Sequence, residues 1–485
     1  MSKTARFIPI FFALVAAAVA QFGVPAAQPA DSSTATTQET MTPAVASPLQ
    51  ESPFASSVAK GKVTPEPVKL TILNTIDLGL KNNLGLILST QGGESARAAR
   101  LNALSRLLPN VNAKTSEQVQ QLNLAAFGFP LAPGQPAIIG PFSVFDARAT
   151  ASQRIVDLRA LEQLRTSNEQ VRAAKLSYAD SRELVTLVVA NAYLEALAGQ
   201  ARVEAAQAQL ETATTLFNQT SDLKKNGVAA GIDVLRTQVQ MQARQQRLIF
   251  LKNESEKQKL ALVRTIGLPT GQQIILADKM PEAPVPPITL EEAIGRAREQ
   301  RSDLQRAKSL VHAAELNKRA QEAQYLPNVR FDGDYGTLGR RPGDSHGTFT
   351  AAATLTMPIF TGGRIRSDVL QADVDLQRRK AELADAEGRV EADVRRAFMD
   401  VESATAQVTV AKSALDLANQ QLTQARDRFA AGVAGSLDIV ESEQAVTEAN
   451  ENLISALYAS NVAKATLARA TGRAEQLVKD FLGAK

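Results

Sequence analysis

The chain contains no cysteine, which excludes disulfides, thiolate metal sites, a thiol nucleophile and an acylated cysteine anchor. It also lacks tryptophan, and aromatic residues make up only 5% of its 485 residues, so the bulky units of a thick globular core are scarce. There are just two histidines, His312 and His346. Neither has a partner at catalytic or metal-ligand spacing, so the chain is not expected to be an enzyme and no catalytic residue, metal or cofactor is assigned. The net charge is only +4. No basic cluster is interleaved with aromatics, which leaves no footing for nucleic acid. After the first 20 residues no segment reads as a membrane-spanning helix, which needs about 20 apolar residues.

What is present begins with a secretory signal over residues 1–20. Lys3 and Arg6 form the positive end, an apolar run follows from Phe7, and Ala18-Val19-Ala20 supplies a small-residue cleavage site. Residues 21–67 are rich in Pro, Ser and Thr without periodicity and read as a disordered lead-in.

The remainder is a tandem duplication. Val185, Val189, Val203, Ala206 and Leu210 recur as Val390, Val394, Val408, Ala411 and Leu415. The register carries on through Gly227-Val228-Ala229 against Gly432-Val433-Ala434, and Asp233 against Asp438. Upstream, Leu108-Pro109-Asn110-Val111 matches Leu326-Pro327-Asn328-Val329 at a spacing longer by about 13 residues, which places an insertion in a first-copy loop. Repeat 1 spans 68–272, a Pro-rich linker 273–287, repeat 2 288–472 and a C-terminal tail 473–485.

Between residues 361 and 429 there is no proline, and an apolar stripe advances by alternating steps of four and three, the mark of a heptad seam. A helix of about 70 residues is roughly 105 Å long. The flanking helical stretches are near half that length, so two short helices stacked end to end match one long helix. Between the helices the periodicity changes to two. Hairpins over 109–156 and 327–360 alternate polar residues (Asn328, Arg330, Asp332, Asp334) with apolar ones (Val329, Phe331, Tyr335). Such strands suit a membrane barrel with lipid outside and water inside. Four strands cannot close a barrel, and open edges in lipid leave backbone groups unsatisfied. Several chains must therefore pool hairpins: two would give eight strands and three would give twelve.

On the paired Leu-Pro-Asn-Val, Met357-Pro358-Ile359-Phe360-Thr361-Gly362-Gly363-Arg364, Arg428-Phe429-Ala430-Ala431-Gly432 and Leu437-Asp438-Ile439-Val440, the chain resembles the TolC family of outer-membrane efflux ducts. The resemblance implies a mostly α protein with a β-barrel part: a homotrimer with a long antiparallel α-barrel in the periplasm and a shared 12-stranded barrel in outer-membrane lipid. It implies a passive exit duct for efflux or type I secretion, opened by a periplasmic adaptor and an inner-membrane transporter of RND, ABC or MFS type. By position, Gly227, Val228, Ala229, Gly432, Val433 and Ala434 are the adaptor-docking tips. Asp438 and Glu441 are the acidic pore entrance and Asp233 a closing contact; the plainer alternative for such an Asp is helix capping. Ala434 stands where some relatives place an arginine gate partner, which argues against a salt-bridge lock. Pro358, Gly362 and Gly363 form the strand-to-helix turn, where glycine's φ freedom suffices as explanation. The rival reading is an exported coiled-coil scaffold without a pore.

Overall fold

The computed structural model describes residues 53–128, 136–227, 230–282, 288–431, 433 and 435–476. The expected signal peptide therefore lies outside the described residues. The first repeat runs β1 (Val68–Leu70), α1 (Ile72–Asn82), α2 (Leu84–Ser105), β2 (Asn110–Asn123), β3 (Ile138–Val156), α3 (Leu158–Lys225), α4 (Gly231–Ile266) and β4 (Ile274–Leu276). The second runs α5 (Leu290–Gln300), α6 (Ser302–Glu322), β5 (Asn328–Gly339), β6 (Ser345–Thr356), α7 (Arg364–Ala430) and α8 (Ser436–Ala470).

The long helices α3 and α7 contain 68 and 67 residues, about 100 Å each at 1.5 Å per residue. Each carries three shorter partners, stacked as two halves. α1 and α2 pack on the sheet-proximal part of α3 and α4 on its far part, with α5 and α6 arranged likewise on α7 beside α8. The stacked halves meet where Asn82 Nδ2 donates to the Ile266 carbonyl (3.1 Å). Here Gly267 ends α4 at φ +74°, and a Cβ on it would lie 2.6 Å from Asn82 Cβ. Gly472 repeats this device after α8, at φ +79° against the Arg301 backbone. Both sites need glycine for its left-handed φ and its lack of a side chain.

The seam residues meet their expectation. Val390, Val394, Ala397, Val401, Ala404, Ala411, Ala418 and Ala425 are all buried along α7, as small residues allow helix backbones to approach closely. One window of α3 is apolar enough by length and composition to cross a membrane, contrary to the expectation of none, but more than half of it is buried inside the fold. It is the centre of the core, where Val185, Val189, Ala190 and Leu194 meet α1 and β1.

The sheet order is β2-β3-β5-β6, all antiparallel. The register sorts side chains into two faces. One face carries Val111, Ala151, Gly333 and Ala351 in one row, and Ala113, Ala149, Tyr335 and Phe349 in the next. The other carries Asn112, Thr150, Asp334 and Thr350, with Arg148 bonded to Asp146 (2.7 Å) and across to Asp334 (3.1 Å).

Four expectations need correction. From Pro53 on, the segment read as disordered is held in place: Val58 N donates to Asn82 O (2.9 Å) and Thr64 N to Gln272 Oε1 (2.8 Å). The linker 273–287 contains a strand, because Ile274-Ile275-Leu276 pairs in parallel with β1. The tail is tied down at its start, where Glu475 pairs with Arg182 (2.8 Å). Each short helical stretch before a hairpin is broken once. At Asn83 the chain turns extended and its side chain caps Leu86 N, and at Arg301 it also turns extended.

Candidate functional site: the pore entrance and the helix tips

The far ends of the long helices are glycine-bearing turns. α3 closes through Asn226, and Gly227 at φ +77° donates its N–H to Lys224 O (3.0 Å). α7 closes through Ala431, with Val433 N bonded to Arg428 O (3.0 Å), a six-to-one bond that folds the chain back. Gly227 and Val433 thus lie in the turns that end the two long helices. Val228, Ala229, Gly432 and Ala434 lie outside the described residues.

The acidic residues start the return helices. Gly435 is the N-cap of α8, and no side chain caps this helix. Asp438 in the first turn is therefore not a cap, and its charge instead suits the positive end of the helix dipole. Glu441 lies one turn on and is exposed, while Asp438 is half-buried. With a spacing of three residues they share a helical face.

Asp233 has a different part. Its carboxylate accepts from Ser436 Oγ (2.8 Å) and Arg236 Nη1 (3.3 Å), and Arg236 also reaches Ser436 (3.4 Å). The structure thus joins Asp233 to the first residue of α8, linking the return helices of the two repeats. It does not bring Asp233 to Asp438.

Two turns deeper lies a set of charges that sequence reasoning did not single out. Arg244 of α4 is 9% exposed. It donates to Gln444 Oε1 (3.1 Å) and, with the Gln240 amide turned to present its oxygen, to Gln240 (2.9 Å). Glu443 of α8, 6% exposed, lies 3.6 Å from Arg426 of α7. Burial pushes the Glu443 carboxyl above the usual glutamate range, partly offset by Arg426 and Arg244, and burial lowers the Arg244 guanidinium. A signal was available: Thr237, Arg244 and Leu251 recur every seven residues and all are buried, so Arg244 stands at a core position of the heptad.

At the opposite end of α7, Gly362 and Gly363 lie at φ +60° and +85°. Arg364 N donates back to Thr361 O (3.2 Å). Two successive left-handed residues let the chain leave β6 past Pro358 and enter the helix at once. His312 is exposed on α6 beside Glu315 (3.4 Å), and His346 lies in β6 opposite Leu338.

Comparison with known proteins places this geometry. The profile of the family described as "Outer membrane efflux protein" matches residues 76–268 and 293–473, one segment per repeat. The chain is 23% identical to "Outer membrane protein TolC" of Vibrio cholerae, over 80% of its own length and 87% of the relative's. It is 24% identical to "Alkaline protease secretion protein AprF" of Pseudomonas aeruginosa, over 65% of its length and 64% of the relative's. Among solved structures, the open state of the Neisseria gonorrhoeae MtrE outer membrane channel superposes with a TM-score of 0.70. That likeness has 19% identity and covers 86% of this chain and 95% of that one.

Proposed function

The chain belongs to the outer membrane efflux protein family, and from that premise we propose how its parts divide the work of an exit duct. It is an outer-membrane channel for efflux from the periplasm to the exterior. Three chains pool their hairpins into a twelve-stranded barrel, with the row through Tyr335 and Phe349 against lipid and the row through Arg148 and Asp334 against water. The observation that carries this reading is a pair of open flanks. The sheet ends at β2 and β6. Beside it the helices run in the order α2-α3-α6-α7 near the sheet and α4-α3-α8-α7 near the tips. One flank is β2, α2 and α4; the other is β6 and α7. Because the flanks differ, head-to-tail contact of identical copies closes a ring.

At the inner end, Asp438 and Glu441 from three chains would concentrate about six carboxylates around one axis, enough to raise the local cation concentration. The bond from Ser436 to Asp233 holds the tips of the two repeats together beside that ring, and its release accompanies opening. The turns at Gly227 and at 432–434 receive a periplasmic adaptor through which an inner-membrane pump supplies the energy. The relatives' names cover protease secretion as well as TolC, in keeping with a conduit whose cargo is chosen by the pump.

Reconstitution in planar bilayers tests the duct: discrete conductance steps are expected, and a pore-free scaffold gives none. In the same bilayers Asp438→Asn with Glu441→Gln should move the reversal potential towards lower cation preference; an unchanged potential removes the acidic ring from the account. Gly227→Trp should abolish crosslinking to the adaptor with assembly intact, and retained crosslinks would refute docking there.

A further inference from the structure

We propose that the throat where the sheet meets the helices holds an anion site centred on Arg159, which takes a phosphate-bearing solute in transit through the duct. The inference rests on the duct reading for its direction of access, and on the geometry of one cavity for its chemistry. That cavity measures about 440 Å³ and is lined by Arg154, Arg159, Arg330 and Arg364, with Asp157 the one carboxylate in its wall among the described residues.

Three of the four guanidinium groups are already engaged. Arg154 pairs with Asp157 (2.6 Å) and Arg330 with Asp332 (2.7 Å). Arg364 is bonded to Gln324 (3.0 Å) and Asp368 (3.3 Å). Arg159 is the remainder. Its Nε is buried without a hydrogen-bond partner, and no other described residue pairs with the side chain. Asp368 faces Arg159 across an adjoining cavity, but it is taken by Arg364 and by Gln324 Nε2 (3.1 Å). The buried Nε is shut off from the cavity by the protein around it, so a solute would meet the terminal Nη groups of Arg159, which line the cavity wall and are paired with no described residue. One surplus positive charge per chain therefore faces a space with room for a hydrated polyatomic anion, at about 30 Å³ per water.

The surroundings favour the same sign. α3 starts at Leu158 and α7 at Arg364, both in the cavity wall. The first turn of α3 is already capped by Asp157, which accepts from Ala160 N (2.8 Å), so the start of α7 is the helix end left to attract an anion. Gly363, the N-cap of α7, offers no side chain to its first-turn N–H groups. Arginine forks match phosphoryl oxygens with paired hydrogen bonds.

Access decides between a solute and a lipid headgroup. Asn328, Arg330, Thr354 and Thr356 in the cavity wall belong to the polar face of the sheet. Val329, Phe331, Ala353 and Leu355 face the other way, where lipid lies. The opening is thus on the water side.

Calorimetric titration of inorganic triphosphate into the full-length assembly, in a phosphate-free detergent at low salt, tests the site whether or not the pore conducts. Binding is expected in the wild type, with affinity about tenfold weaker or more in Arg159→Gln, the usual size of a lost charge-assisted bond. Arg159→Lys, which keeps the charge, should retain part of it. No binding in the wild type, or equal binding in Arg159→Gln, would overturn the site. Phospholipid that co-purifies with the wild type and is lost in Arg159→Gln would overturn the assignment to a solute. Absent conductance steps with intact triphosphate binding would instead count against the duct alone.

Discussion

The two repeats carry the same seam but live in different surroundings. Val185 and Val390, and Val189 and Val394, are buried in both copies. One step off the seam the copies part. Leu194 is 0% exposed, whereas its counterpart Met399 is 59% exposed. Ala190 is buried where Arg395 is exposed, and Leu197 is buried where Glu402 is exposed. The reason lies in their neighbours. Among the described residues α3 packs chiefly against α1, α2, α4, α6 and α8, while the main partners of α7 are α5, α6 and α8. Duplication preserved the stripe that holds each helix to its own partners, and the flanks diverged with position in the slab. The face of α7 left uncovered carries Leu370, Val374, Met399, Val410 and Leu417, all exposed. On the opposite flank α4 exposes Ile232, Leu235, Val239 and Phe250. Apolar rows on both flanks are what copies of the chain would bury against each other.

The sharpest way to break this comparison is a matched pair of truncations. Leu194→Ala should destabilise the fold by about 2–5 kcal/mol, the usual cost of a large-to-small change in a packed core. Met399→Ala should cost a single chain no more than about 0.5 kcal/mol, as for surface substitutions. Thermal unfolding in a Val410→Asp background, in which the chain is expected to be single, checks both, and equal losses there would mean that the flanks are not different after all.

A smaller effect concerns the tips. Glu443 has its carboxyl raised by burial, so the native state holds a proton that the unfolded chain has already released. Its contribution is therefore most favourable at or below the ordinary glutamate range and fades as pH rises through the window up to the raised value. Glu443→Gln should flatten the dependence of stability on pH across that window. Unfolding midpoints at pH 5 and pH 7 read this directly. The same slope in both proteins would place the titration elsewhere.

Much of the fold was legible because it rests on periodicity. The heptad stripe gives the long helices, the period-two runs give the four strands, and the duplicated landmarks give their order. The features that escaped are those made by contacts across the chain. Ile274-Ile275-Leu276 is too short to show a period and becomes a strand only beside Val68-Lys69-Leu70. The break at Asn83 is set partly by its side-chain bond to the Phe54 carbonyl (2.7 Å), from a segment that composition marks as unstructured. Residues 138–141 extend β3 beyond the period-two run, with Ile138 and Ile139 paired to Asn123 and Leu122. At the tip, Asp233 was legible as important, but its partner Ser436 lies 203 residues away. Nothing local in the sequence joins them.

The central claim is that this chain is an open-flanked slab completed only by copies of itself. The mass of the detergent-extracted protein by native mass spectrometry tests it most directly, with Val410→Asp on the uncovered face of α7 as the comparison. The account predicts three chains for the wild type and single, still helical chains for the variant. A wild-type protein that runs as a stable single chain would contradict it.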